Sequence, residues 1–153
     1  VIKFKSMTDE RDERGNLLPN EQRITRVGAF IRKTSIDELP QLINVLKGDM
    51  ALIGPRPLLP EYLLYYTKRE ALRHSVRAGI TGLAQVNGRN NLSWEERLEM
   101  DAYYSEHVSL GLDWKIFLHT IKNVLSRKDV VVVLNNREHV PLDEYRKSKN
   151  NVK

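Results

Sequence analysis

Cysteine is absent from the 153 residues. Its absence excludes a disulfide framework, a thiolate nucleophile and a sulfur-ligated metal, leaving carboxylates and histidine as candidate ligands. Long apolar runs are missing as well. The longest uninterrupted one, Val130 to Leu134, is a small fraction of the roughly 20 residues that a membrane-spanning helix needs. Neither GxxxxGK followed by Ser or Thr nor GxGxxG occurs, so the common glycine-rich nucleotide cradles are excluded. His74, His107, His119 and His139 share no metal-ligand spacing such as HExxH, and read as surface or packing residues. What the chain has in excess is positive charge: 25 Lys and Arg against 20 Asp and Glu, a formal net charge of +5. That balance favours anionic partners, whether nucleic acid, phosphorylated metabolites or an anionic membrane face.

The length suits one domain around a single core. Ile2, Phe4 and Met7 alternate with polar residues and predict a strand over Lys3 to Met7, already under way at Val1, so the chain reads as a fragment whose N-terminus is missing. Thr8 to Glu21 is charged and aperiodic, with Gly15, Pro19 and Asn20, and reads as an exposed loop. Ile24, Val27, Phe30 and Ile31 predict a short helix that Gly28 weakens and that ends near Lys33. Leu39, Leu42, Ile43 and Leu46 form a second apolar stripe, with Gly48 placed for a left-handed cap. One helix is therefore predicted from Asp37 to Lys47, with Pro40 in its first turn.

Gly54, Pro55, Arg56 and Pro57 make a stiff corner holding one arginine, followed by a predicted helix carrying Tyr62, Leu63, Tyr65 and Tyr66. Between Arg77 and Asn91, glycines at 79, 82 and 88 interleave with Leu83, Gln85 and Val86, predicting a short strand flanked by turns. Ser93 with Glu96 is a capping box opening a helix to about His107, with Trp94, Leu98 and Tyr104 or Tyr103 inward and Asp101 on the same line. A last long helix, Leu112 to Arg127, carries Trp114, Phe117, Ile121 and Val124 on one side and Lys115, His119 and Lys122 on another. It suits packing on a core by its apolar face, the commoner arrangement, or lying in a membrane interface. Val130 to Leu134 predicts a strand, and the lysine-rich end from Tyr145 a mobile tail. The elements sum to an α+β fold, a helix-rich single domain with a small β-sheet.

Asp37 and Glu38 are the sharpest chemical feature. At the start of a helix, unpaired N–H groups and the macrodipole stabilise a carboxylate or a phosphate, and an ionised aspartate there suits nucleophilic attack. Adjacent carboxylates repel, so keeping both ionised calls for a counter-cation, and Mg²⁺ would serve. From spacing alone, Ser35 and Glu38 as an ordinary capping box is the more economical account. Arginines at 32, 56, 77 and 89, set at helix ends or among Gly and Pro, are each ordinary surface charge, but together with Lys3 and Lys5 they favour a phosphate-rich substrate. Asp101, a carboxylate on an apolar helical line, must be paired. A structural salt bridge and a site role are both open for it.

The strings KFKSM (3 to 7), FIRKTSIDELPQLINVLKGDM (30 to 50), GPRPLLPEY (54 to 62), RHSVRAGITGLAQVNGRN (73 to 90) and DAYYSEH (101 to 107) together resemble the bacterial sugar transferase family, the monotopic phosphoglycosyl transferases, over about Val1 to Val124. The resemblance implies transfer of a sugar-1-phosphate from a UDP-sugar to undecaprenyl phosphate, with release of UMP, at the cytoplasmic membrane leaflet. It also implies an N-terminal membrane-anchoring helix that these residues do not include, and the chain is read as a catalytic domain over 1–134 with a partly mobile extension over 135–153. The family's catalytic Asp-Glu pair falls on Asp37 and Glu38. By analogy Asp37 forms a covalent phosphosugar intermediate and Mg²⁺ sits at Asp37 and Glu38, with three roles open for Glu38, holding the metal, orienting Asp37 or managing a proton, while Lys3, Arg32, Arg56, Arg89 and Asp101 belong to the substrate site. Ala78 and Leu83 depart from the family's usual proline and tryptophan in VRPGITGWAQ. The DERDERG loop resembles small family members and makes an N-acetylated sugar the first expectation, with a plain hexose next. A basic nucleic-acid-binding module and a non-catalytic partner-binding domain are the alternatives. No recognised nucleic-acid motif is present, so nucleic acid is not an expected partner.

Overall fold

The computed structural model describes residues 1–88, 92–126 and 140–150. Its elements run α1 (Asn20–Arg23), α2 (Arg26–Lys33), a 3₁₀ turn (Ile36–Glu38), α3 (Gln41–Leu46), β1 (Ala51–Ile53), two further 3₁₀ segments (Pro60–Tyr65 and Glu70–His74), β2 (Gly79–Thr81), α4 (Leu83–Asn87), α5 (Trp94–Glu106), α6 (Leu110–Ser126) and α7 (Leu142–Asn150). The sheet is the small one expected: β1 and β2 are parallel, with Ala51 opposite Gly79 and Ile53 opposite Thr81. The predicted strand at Val130 to Leu134 lies outside the described residues.

The predicted strand over Lys3 to Met7 does not form. This segment is extended but joins no sheet, making a single antiparallel bridge from Met7 to Ile24. Its polar groups are stitched to three elements in turn: Ile2 N–H donates to Asn44 Oδ1 (3.1 Å), Phe4 N–H to the Asp37 carbonyl (3.1 Å) and Thr8 N–H to the Arg23 carbonyl (2.8 Å). The apolar alternation was real, but Ile2 and Phe4 remain exposed because no neighbouring strand covers them. Gly28, which looked like a weakness in α2, is required there. A Cβ would sit 1.9 Å from the Ser6 carbonyl oxygen, so only glycine lets the segment lie against the helix. Thr25 caps α2 through its side chain, accepting from Gly28 N–H at 2.8 Å.

The single helix expected from Asp37 to Lys47 is split in two. Proline within a helix loses a hydrogen bond and clashes with the carbonyl four residues back, here that of Ile36. The chain therefore makes one tight 3₁₀ turn, pauses at Leu39 and Pro40, and starts α3 at Gln41 with Pro40 in the cap position. Gly48 ends it in a left-handed conformation (φ 80°), as anticipated. The helix expected around Tyr62 is likewise 3₁₀. Leu83, Gln85 and Val86 belong to α4, and the strand lies just before them at Gly79–Thr81.

Ser93 and Glu96 do form the capping box of α5. Leu98 and Ala102 are fully buried and Tyr104 nearly so, while Tyr103 is exposed. Tyr62, Trp94, Leu98 and Leu142 form one apolar cluster, with the Tyr62 and Trp94 rings edge to face at 5.6 Å. Leu142 opens α7, so residues 145–150, expected as part of a tail, continue a helix docked on this cluster.

The long helix α6 packs by a different face from the one its apolar residues suggest. Ile116 is buried, the Thr120 and Thr81 hydroxyls share a hydrogen bond of 2.8 Å, and Asn123 Nδ2 donates to the Val86 carbonyl at 3.1 Å. Trp114 (62%), Leu118 (50%) and Leu125 (78%) are exposed instead, and Phe117, Ile121 and Val124 lie on the exposed side with them.

Candidate active site

Four segments converge around Asp37 and Glu38. The turn that carries the two carboxylates is entered through Ser35, the one described non-glycine residue with positive φ (56°). In that left-handed conformation Ser35 makes no side-chain cap, and Glu38 does not reach back to it. The capping-box account of this pair, the more economical one from spacing, is thereby overturned. With no long helix beginning at Asp37, the positive field comes from side chains instead of a macrodipole.

Glu38 Oε1 accepts from Lys3 Nζ and from Arg56 Nη2, each at 3.0 Å. Lys3 is delivered by the N-terminal segment, whose next residue is pinned to the Asp37 carbonyl. Arg56 is delivered by the Gly54–Pro57 corner at the end of β1. That corner lies against the start and end of β2 because three glycines meet there. A Cβ on Gly54 would be 2.3 Å from the Arg77 carbonyl, one on Gly79 would be 2.1 Å from Gly54 N, and one on Gly82 would be 2.2 Å from the Gly54 carbonyl. Burial pushes the Glu38 carboxyl upward, but Arg56 and Lys3 together outweigh it and hold the group below its ordinary value.

Asp37 is in the opposite condition. Burial raises its carboxyl, the adjacent Glu38 charge raises it further, and Lys3 and Arg32 pull back only in part. It makes no ion pair with a described residue. Two neighbouring carboxyls driven in opposite directions suit different tasks: one is fixed by cations, the other makes no ion pair with a described residue and is the more basic. Arg32 is held beside them by Nε donation to Ser6 Oγ (2.8 Å) and approaches Met7 Sδ at 3.2 Å, so it adds charge near Asp37 without being consumed by it.

Asp101 lies behind this site. It forms a buried ion pair with Arg73, both side chains 2% exposed, with Arg73 Nη2 at 2.9 Å and Nε at 3.2 Å from one carboxylate oxygen. Burial raises the Asp101 carboxyl and Arg73 offsets part of that. Arg73 also donates from Nη2 to the Arg56 carbonyl at 2.5 Å and from Nη1 to Tyr66 Oη at 3.2 Å. Asp101 is thus the partner in a structural salt bridge, one of the two accounts open for it, and Arg73 links that pair to the backbone of Arg56. Arg73 is the residue that sequence reading missed. The signal available was Asp101 itself, because a buried carboxylate requires a buried cation. Arg77 is exposed, and Arg89 lies outside the described residues.

No group of three or more His, Asp or Glu side chains able to hold a metal occurs among the described residues. Two carboxylates are nonetheless the usual protein contribution at a Mg²⁺ site completed by substrate phosphates. Asp37 and the Glu38 oxygen not used by Lys3 and Arg56 fit that pattern.

The fold and site define a domain that leaves one half-buried carboxylate of an acidic pair unpaired beside a cradle of cations, an arrangement suited to phosphorylated ligands. A family model described as bacterial sugar transferase matches residues 1–127, and the chain belongs to that family. It is 59% identical over 82% of its length to an uncharacterized sugar transferase, EpsL, of Bacillus subtilis, covering 62% of that protein. An undecaprenyl-phosphate galactose phosphotransferase of Salmonella typhimurium is 48% identical over 72% of this chain and 23% of its own length. A UDP-glucose:undecaprenyl-phosphate glucose-1-phosphate transferase of Xanthomonas campestris is 40% identical over 84% of this chain and 29% of its own. The chain therefore spans between about a quarter and three fifths of the curated relatives it matches.

Proposed function

We propose that this chain is the catalytic part of a phosphoglycosyl transferase that moves a sugar-1-phosphate from a UDP-sugar to undecaprenyl phosphate through a covalent aspartyl intermediate. The observation that carries the reading is the division of labour at residues 37 and 38: Glu38 is gripped by Lys3 and Arg56, and Asp37 is left unpaired with its carboxyl raised. The names of the relatives, which include transferases acting on undecaprenyl phosphate, support the same class of reaction.

In the first half-reaction an Asp37 carboxylate oxygen attacks the β-phosphorus of the donor. The bond from that phosphorus to the bridging oxygen breaks, and UMP leaves with the electron pair. In the second, a phosphate oxygen of the polyprenyl acceptor attacks the same phosphorus, the aspartyl oxygen leaves, and the carboxylate is restored. No proton need be exchanged in either half, which suits a carboxylate nucleophile and an anionic acceptor. Lys3 and Arg56 fix Glu38, and with Arg32 and Arg89 they would draw the diphosphate toward Asp37. Bound at Asp37 and Glu38 together with substrate phosphates, Mg²⁺ would neutralise the diphosphate and ease departure of UMP.

The acceptor is a lipid, and the exposed stripe of α6 supports docking on the cytoplasmic membrane leaflet. Trp114, Leu118, Ile121 and Leu125 present an apolar face flanked by Lys115 and Lys122, a pattern suited to an anionic interface. The donor sugar is read as N-acetylated from the DERDERG loop, whereas galactose and glucose appear in the names of relatives. A panel of UDP-sugars decides among them.

The experiment that tests the mechanism incubates the protein with each UDP-sugar and no acceptor, then looks for a phosphosugar adduct by peptide mass spectrometry. The adduct is expected on the peptide containing Asp37. In the presence of acceptor, Asp37→Asn is expected to abolish UMP release, and turnover retained in that variant would remove Asp37 as the nucleophile.

A further inference from the structure

The family model's match ends at residue 127, yet α7, at Leu142–Asn150, is docked on the segments Pro60–Tyr65 and Glu70–His74 and on the start of α5. Leu142 is fully buried against Tyr62, Trp94 and Leu98, and Trp94 Nε1 donates to the Val140 carbonyl at 2.9 Å. One turn further along, Arg146 donates to Glu70 Oε1 in an ion pair whose side chains are only 19% and 11% exposed. Glu70 is occupied at both ends. Its Oε2 accepts from Thr67 N–H at 2.7 Å, while Glu70 N–H donates to Thr67 Oγ1 at 3.2 Å, a reciprocal box that starts the 3₁₀ segment Glu70–His74. Arg73 stands three residues on in that segment and holds the Arg56 carbonyl.

We propose that α7 is a positioning brace, with Arg146 acting through Glu70 and Arg73 to fix the Gly54–Pro57 corner and hence the Arg56 guanidinium on Glu38. The physical argument is the cost of a buried charge. Without Arg146, Glu70 is a nearly buried carboxylate with no cation, and it gains by turning toward water. Doing so opens the Thr67–Glu70 box and frees the start of the segment that carries Arg73. A loosened Arg73 no longer fixes the carbonyl of Arg56, and a displacement of about 1 Å at a positioning group is enough to slow a reaction markedly. The meaning of that displacement for turnover rests on the function proposed above, whereas the mechanical coupling does not.

The test uses hydrogen exchange of the Arg73 guanidinium Nε–H, followed by NMR in the whole chain, alongside UMP release from UDP-glucose, UDP-galactose and UDP-N-acetylglucosamine with undecaprenyl phosphate in vesicles. Arg146→Ala is expected to speed Arg73 Nε–H exchange at least tenfold while the amides of α2 keep their protection, and Arg146→Lys is expected to restore slow exchange. Turnover number should fall roughly tenfold in Arg146→Ala with a smaller change in KM, and recover in Arg146→Lys. Unchanged Arg73 exchange in Arg146→Ala would overturn the brace, as would exchange rising equally across α2, which would make α7 a general stabiliser. If the unmodified protein releases no UMP from any donor, the proposed function falls, and the exchange measurement still decides the coupling.

Discussion

Ser35 holds a conformation that an L-residue adopts at a cost of about 1–2 kcal/mol, and it does so one residue before the turn that presents Asp37. Glycine would remove that cost and return about 0.5–1 kcal/mol of it through greater freedom in the unfolded chain. Ser35→Gly is therefore expected to raise the midpoint of thermal unfolding by about 2–4 °C at most, and Ser35→Val to lower it. A drop in both variants would show that the hydroxyl, not the backbone, governs this position. Sequence spacing could find Asp37 and Glu38 but could not see Ser35 turn away from them, because a serine followed by a glutamate three residues later looks the same whether or not the box closes. Pro40 was the readable hint. A proline there marks a helix start, and the helix begins after it, at Gln41, not before it. Arg73 was hidden for another reason: its partner is 28 residues away, and only the fold makes them neighbours.

Among the elements, α5 was legible because its signal, a capping box, is local, whereas glycine punctuation announced a strand near β2 but not that Leu83, Gln85 and Val86 form α4. The extended N-terminal segment, the 3₁₀ turns and α7 were not legible, since each is defined by groups contributed from elsewhere in the chain. Electrostatics give α7 a measurable signature. Glu95, in the first turn of α5, is pushed up by burial, but hydrogen bonds from Lys149 and Tyr145 outweigh that and hold it at about 2. A folded value below the unfolded one, 4.5, means that the protein binds protons more readily when unfolded. The stabilisation is complete above pH 4.5 and is lost as pH falls toward 2, discounted because Glu95 is partly exposed and screened by salt. Hydrogen exchange along α7, normalised for the intrinsic pH effect, is expected to lose protection between those limits. Glu95→Gln should weaken docking at neutral pH and flatten the dependence. Equal protection at pH 6 and pH 3 would show that Glu95 does not hold the helix.

At the scale of the whole molecule, the apolar residues of α6 were readable and the direction they face was not. Periodicity defines a stripe but does not say what covers it, and here Ile116, Thr120 and Asn123 make the internal contacts while Trp114 and Leu118 are left outside. Binding to vesicles containing phosphatidylglycerol is expected, weakening as salt rises. A Trp114→Glu, Leu118→Glu double variant should lose most of it with little change in thermal midpoint, because neither side chain is buried. Equal binding by that variant would place the membrane contact elsewhere. The docking of Leu142 has a practical corollary for drawing domain boundaries. A cut at residue 127, where the family model's match ends, would remove Leu142 from the apolar cluster, leaving Tyr62, Trp94 and Leu98 without the residue that closes them. A chain shortened to that point is therefore expected to bare three apolar side chains that Leu142 covers.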